Sequence, residues 1–175
     1  GAITNGFREM GFLPEAFVNM LALLGWNDGT GQELFTLDEL VHKFSIDRIN
    51  KAGAKFDFEK AKWFNHEWIK RSDDNTLIPQ LKELLITNGI QNIDDEYVAA
   101  ILALVRDRLT FVSDFWEQAA FFFQRPERYD LEAVRPRGTG EKSTFFLEII
   151  DTLENIGPWH SAELESAYKL AIQAS

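Results

Sequence analysis

Asp57-Phe58-Glu59-Lys60-Ala61-Lys62-Trp63-Phe64-Asn65-His66-Glu67-Trp68-Ile69-Lys70-Arg71 reads as one amphipathic helix. Asp57 suits the N-cap, where a short carboxylate accepts from backbone N–H groups left without partners in the first turn. Phe58, Ala61, Trp63, Phe64, Trp68 and Ile69 supply the apolar side chains, and the pattern runs to about Arg71. Toward the N-terminus, Thr36 and Glu39 form a capping-box pair ahead of Leu37, Leu40, Val41 and Phe44. Before them, Pro14 suits a first helical position and Gly25 a stop, with Phe17, Met20, Leu21 and Leu24 between.

Toward the C-terminus, Ser72-Asp73-Asp74-Asn75 is the most loop-like run, and the best internal boundary. A helix is expected from about Leu77 to Asn88, stopped by Gly89. Asp94 caps another through Tyr97, Ile101, Leu104 and Val105 to Leu109, and Ser113 caps a third that Pro126 ends. Tyr129 to Gly140 holds one proline and two glycines and reads as a linker. Helices from about Glu141 to Ile156 and from Ser161 onward follow. No strand alternation and no solenoid repeat is present, so the fold class is all-α, an irregular helical array.

The chain has 175 residues, 45% apolar and 26% charged, with no cysteine. That length suits one domain or two small ones and buries roughly 70% of the unfolded surface, so no metal or disulfide staple is needed. Zero cysteine excludes disulfide frameworks, thiolate zinc sites and cysteine nucleophiles. No run of 18 apolar residues and no signal-peptide pattern appears, and a cytoplasmic protein is expected. Gly1-Ala2 gives no natural start and the last helix reaches Ser175 without a stop signal, so both ends read as cuts in a longer chain.

The net charge of −10 argues against nucleic acid unless charge is unevenly placed. It is uneven. Between Lys43 and Arg71 lie eight bases and four acids, a balance of +4 that leaves −14 for the rest. Lys60, Lys62, Lys70 and Arg71 share a helix with Trp63, Phe64 and Trp68, and rings interleaved with cations are what single-stranded RNA recognition uses. The same stripe also suits a helix packed on a core beneath a solvated charged face.

Catalytic constellations are thin. His42, His66 and His160 are far apart, and His66-Glu67 lacks the second histidine of a zinc-protease helix. Asp94-Asp95-Glu96 opens a helix, where acids favour the dipole. Gly25 to Gly31 lacks the lysine of a phosphate loop and reads as a turn. Arg106 and Arg108 end a long helix, where the dipole favours cations and a guanidinium can fork onto a base or a phosphate. Arg125, Arg128, Arg135 and Arg137 surround the linker. Phe121-Phe122-Phe123 cannot all face one core, because successive helical residues lie about 100° apart. That run motivates an alternative, a helical protein-interaction domain using an exposed aromatic face.

Gly11-Phe12-Leu13-Pro14-Glu15-Ala16, Asn19, Leu21 to Trp26, Glu33 to Leu40, Phe44, Ala54 to Lys60 and Trp63-Phe64-Asn65 together resemble the segment after the second catalytic signature of bacterial glutamyl-tRNA synthetases. The order and spacing hold over residues 11 to 71. Beyond Arg71 the resemblance rests on helix lengths and on Arg106-Asp107-Arg108 before a Leu-Thr turn, and residues 141 to 170 match weakly. It implies a stem-contact helical segment over 1–71, a first anticodon-binding helical subdomain over 72–125, and over 126–175 a linker with the start of a second, truncated one. The family's two class I signature motifs are absent, so the chain itself is expected to be non-catalytic. ATP and magnesium belong to the full-length glutamate–tRNA ligase, and no cofactor or metal is expected here. The implied partner is a glutamate-accepting tRNA, with no DNA, no membrane and a monomeric chain. Arg108 falls where the family presents an arginine to anticodon bases, with Arg106 in support. Lys51, Lys55, Lys60, Trp63 and Arg71 fall toward the tRNA backbone.

Overall fold

The computed structural model describes residues 6–51, 53–128, 143–157 and 159–174. The chain divides into two compact units, Gly1–Arg125 and Pro126–Ser175. The first holds α1 (Pro14–Gly25), α2 (Leu37–Lys43), α3 (Phe58–Arg71), α4 (Asp74–Thr87), α5 (Asp95–Val105) and α6 (Asp114–Phe123). The second holds α7 (Ser143–Glu154) and α8 (Ser161–Ala174), packed on each other. The described residues contain no strand; an isolated antiparallel bridge joins Trp26 to Ile49. The all-α expectation holds.

The helix starts are local chemistry. Thr36 Oγ1 accepts from the Glu39 N–H while the Glu39 carboxylate accepts from the Thr36 N–H, closing the capping box. The Asp57 carboxylate accepts from the Lys60 N–H at 3.1 Å, and Asp94 caps α5 through the Glu96 N–H. α1 lies along α3, and α4, α5 and α6 pack on one another. One core runs through all of them, from Ala16 and Met20 of α1 through Phe64 and Ile69 of α3 to Leu81, Leu102 and Phe115. A smaller core of Trp26, Phe35 and Leu40 seats α2 against α1.

The structure departs from the sequence reading at several ends. α4 starts at Asp74, not near Leu77, because Asp73 caps it through the Asn75 N–H at 2.9 Å. Ser72 and Asp73 are thus a two-residue link inside the first unit. Pro79 sits within α4, where its missing N–H leaves the Asn75 carbonyl without its helical donor. α5 tightens after Val105 into a 3-10 turn, Arg106–Arg108. Ser113 makes no side-chain cap. Instead the Asp114 carboxylate reaches back to accept from the N–H groups of Thr110 and Phe111, at 2.9 and 2.8 Å. α6 ends at Phe123, three residues before Pro126. The stretch Tyr129 to Gly140, read as a linker, and the expected helix start at Glu141 lie outside the described residues.

Candidate nucleic-acid interface

α3 is the element to which the site is tied. Its outer face carries Lys60, whose Nζ donates to Glu33 Oε1 at 2.6 Å and lies 4.1 Å from the Trp63 ring centroid. Trp63 is half-buried and packs on the core, while Phe64 beneath it is buried. Lys55 and Lys60 flank a pocket of about 280 Å³ whose floor includes Met20, Leu23 and Phe64. Lys51, Lys55 and Arg71 are exposed, and among the described residues no hydrogen bond or ion pair engages them. Lys62 and Lys70 each pair with an acid one turn away, Glu59 and Glu67.

The end of α3 holds the turn that follows α5. The Arg106 guanidinium donates to the Ser72 carbonyl at 2.7 Å, to the Ile69 carbonyl at 3.3 Å and to the Asp74 carboxylate. Arg106 is therefore committed to the α3–α4 junction, and its side chain is only 18% exposed. On the far side of the turn, His66 Nδ1 lies 2.7 Å from the Leu109 carbonyl. A carbonyl only accepts, so this nitrogen carries the proton. Asn65 Nδ2 donates to the Thr110 carbonyl at 2.6 Å and to the Gly11 carbonyl at 3.3 Å, and Asn65 Oδ1 accepts from the Leu13 N–H at 2.7 Å. Arg108 lies between these anchors, exposed and without a hydrogen bond or ion pair among the described residues.

Two fully buried amides organise this region; both belong to the run of residues that carries the family resemblance, but the sequence reading gave neither a role. Asn65 ties α3 to the start of α1 and to the Arg108 turn. Asn19 donates to the Glu33 carbonyl at 3.0 Å and accepts from the Phe35 N–H and the Trp68 indole N–H. The signal was available: Asn65 falls four residues after Ala61 and four before Ile69, an amide on an otherwise apolar stripe.

The remaining candidates resolve as structure. Gly25 to Gly31 is a turn in which Asp28 accepts from the Thr30 hydroxyl and N–H, at 2.6 and 2.9 Å. Those two donors and Lys43 hold the Asp28 carboxyl below the usual carboxylate range. His42 Nδ1 bonds the Asp38 carbonyl within α2. Among the described residues no cluster of His, Asp and Glu could hold a metal ion, and no helix is long and apolar enough to cross a membrane. Of the phenylalanine run only Phe121 is exposed, at 59%; Phe122 and Phe123 pack on the core.

Residues 59–175 match the family model described as the anticodon binding domain. This chain belongs to the anticodon-binding domain family. Residues 2–63 match the catalytic-domain model of class I tRNA synthetases (E and Q), so the anticodon-binding part follows a catalytic-domain match in chain order. The chain is 45% identical over 167 residues to the glutamate–tRNA ligase of Flavobacterium johnsoniae, covering 95% of this chain and 33% of that one. With the enzyme of Porphyromonas gingivalis identity is 43% over 155 residues, covering 89% and 30%. A crystal structure of a glutamate tRNA ligase from Elizabethkingia meningosepticum, solved with its amino acid, superposes with a TM-score of 0.90 at 32% identity, over 98% of this chain and 34% of that one. The glutamate-tRNA synthetase of Elizabethkingia anophelis gives 0.83 at 30%, over 98% and 33%. The chain thus spans about a third of the length of the relatives it matches. The resemblance read from residues 11 to 71 is borne out: over most of its length the chain is similar to glutamate–tRNA ligases.

Proposed function

We propose that this chain binds a glutamate-accepting tRNA and reads its anticodon through Arg108, as part of a ligase that joins glutamate to that tRNA. The carrying observation is that Arg108 is exposed and unpartnered on a turn anchored at both ends, inside the anticodon-binding match. A guanidinium so placed has all its donors free for a base edge. Arg106, its donors already committed, supports that contact through the protein. Lys51, Lys55 and Arg71 offer unpaired cations to phosphates, and Lys60 and Trp63 a cation and a ring edge beside them. ATP and magnesium would serve the catalytic part of such a ligase, with no cofactor held by this chain, which acts as a cytoplasmic monomer on tRNA, not on DNA or a membrane.

The test is a titration with the glutamate tRNA and with the same tRNA substituted at the central and third anticodon bases, at two salt concentrations. Preferential, salt-sensitive binding of the cognate supports the reading. A good arginine–base contact discriminates by about 1–3 kcal/mol, so Arg108→Ala is expected to weaken the cognate about ten- to a hundredfold and the substituted tRNA much less. Equal loss for both makes Arg108 a phosphate contact only, and absence of binding overturns the proposal.

A further inference from the structure

α3 grips the backbone on both sides of Arg108 while leaving the arginine side chain free. On the N-terminal side, Arg106 hooks two carbonyls at the end of α3, that of Ile69 in its last turn and that of its C-cap, Ser72. On the C-terminal side, His66 and Asn65, neighbours on α3, hold the Leu109 and Thr110 carbonyls at 2.7 and 2.6 Å. A 3-10 turn has poorer hydrogen-bond geometry than an α-helix, so bonds from outside the turn add to what holds it. Here the support comes from groups more than 30 residues away in sequence: the His66 side chain on one side and, for the turn's own Arg106, the Ser72 carbonyl on the other. We propose that His66 is a positioning residue for base recognition: its imidazole N–H, by holding the Leu109 carbonyl, fixes the direction in which Arg108 leaves the turn. The proposal rests on the reading of Arg108 as the base contact. His66 serves it better than its neighbours as a separable part. Asn65 is fully buried and also holds residues 11 and 13, and Arg106 also ties α3 to α4, so their loss would disturb the fold. The His66 side chain is 25% exposed and its one strong bond goes to the turn.

An arginine free to wander still attracts phosphates but no longer meets one base edge with two bonds. Removing His66 is therefore expected to lower discrimination between anticodons while sparing overall affinity. The experiment is a double-mutant cycle on the ratio of dissociation constants for cognate and anticodon-substituted tRNA, measured with His66→Ala, Arg108→Ala and both together. The expected result is a loss of about tenfold in that ratio for His66→Ala alone, and no further loss when it is added to Arg108→Ala. His66→Gln, whose amide can still donate toward the Leu109 carbonyl, is expected to recover part of the ratio and guards against a merely unfolded alanine variant. Wild-type discrimination in His66→Ala, or the same loss with and without Arg108, overturns the positioning role and leaves the Arg108 reading intact. If Arg108→Ala itself discriminates like wild type, the reading of Arg108 falls and this proposal falls with it.

Discussion

At the residue scale, Lys60 is a cation already engaged by an acid and by a ring. Its ammonium is 2.6 Å from Glu33 Oε1 and 4.1 Å from the Trp63 centroid, with both charged side chains roughly half exposed. Exposed pairs of this kind contribute at most about 1 kcal/mol, so a phosphate can displace the carboxylate. Two substitutions then have opposite signs. Lys60→Ala is expected to weaken all tRNAs alike and to lower the slope of log affinity against log salt by about one. Glu33→Gln is expected to strengthen binding, because the partner that holds Lys60 in the free protein is gone. Titrations of both variants across salt check this; an unchanged slope in the first moves Lys60 off the interface.

At the element scale, α4 ends through backbone geometry. Asn88 is its cap and Gly89 has φ +86°, with the Gly89 N–H on the Ile86 carbonyl and the Ile90 N–H on the Leu85 carbonyl. This is a Schellman closure, which places a left-handed residue just past the helix. A Cβ at Gly89 meets nothing within 4 Å, so Gly89→Ala costs only the left-handed backbone, about 1–2 kcal/mol. Gly25, by contrast, is the last residue of α1, is absent from the positive-φ glycines, and has equal room for a Cβ. Gly25→Ala is therefore expected to stabilise by about 0.4–1 kcal/mol, by restricting the unfolded chain. Denaturant midpoints of the two variants, moving in opposite directions, are the measurement. Gly25 and Gly89 both read as helix stops in sequence; only at Gly89 does the backbone require glycine.

At the scale of the whole molecule, the two units differ in what they bury. Among the described residues, both core clusters lie within the first unit, where α3, α4, α5 and α6 contribute fully buried side chains. Among the described residues of the second unit none is buried, and Leu147, Trp159 and Leu170 are each more than 60% exposed. Segments with few buried apolar contacts open at low free energy. Amide exchange in α7 and α8 is accordingly expected to be much faster than in α3 and α5. Equal protection would mean that these two helices carry a core of their own.

The sequence by itself determined the elements whose causes are local. The Thr36–Glu39 box, the Asp57 and Asp94 caps and the apolar spacing of α1, α3 and α5 are all complete within one or two turns of chain. The family resemblance was legible in the same way, from contiguous residues. Some local signals misled: Ser113 yielded its capping role to Asp114, and Asp73 drew α4 back by three residues, since several short polar side chains compete at each end. Tertiary structure alone decided which polar residues are structural and which are free. Arg106 and Arg108, two residues apart and alike in type, part company because the carbonyls of Ile69 and Ser72 lie beside one and not the other. Asn19, Asn65 and His66 find their long-range partners 14 to 54 residues away. Hydrogen bonds across such separations exist only once the helices have packed, so the spacing can mark Asn65 as lying on the apolar stripe of α3 but cannot name the partners.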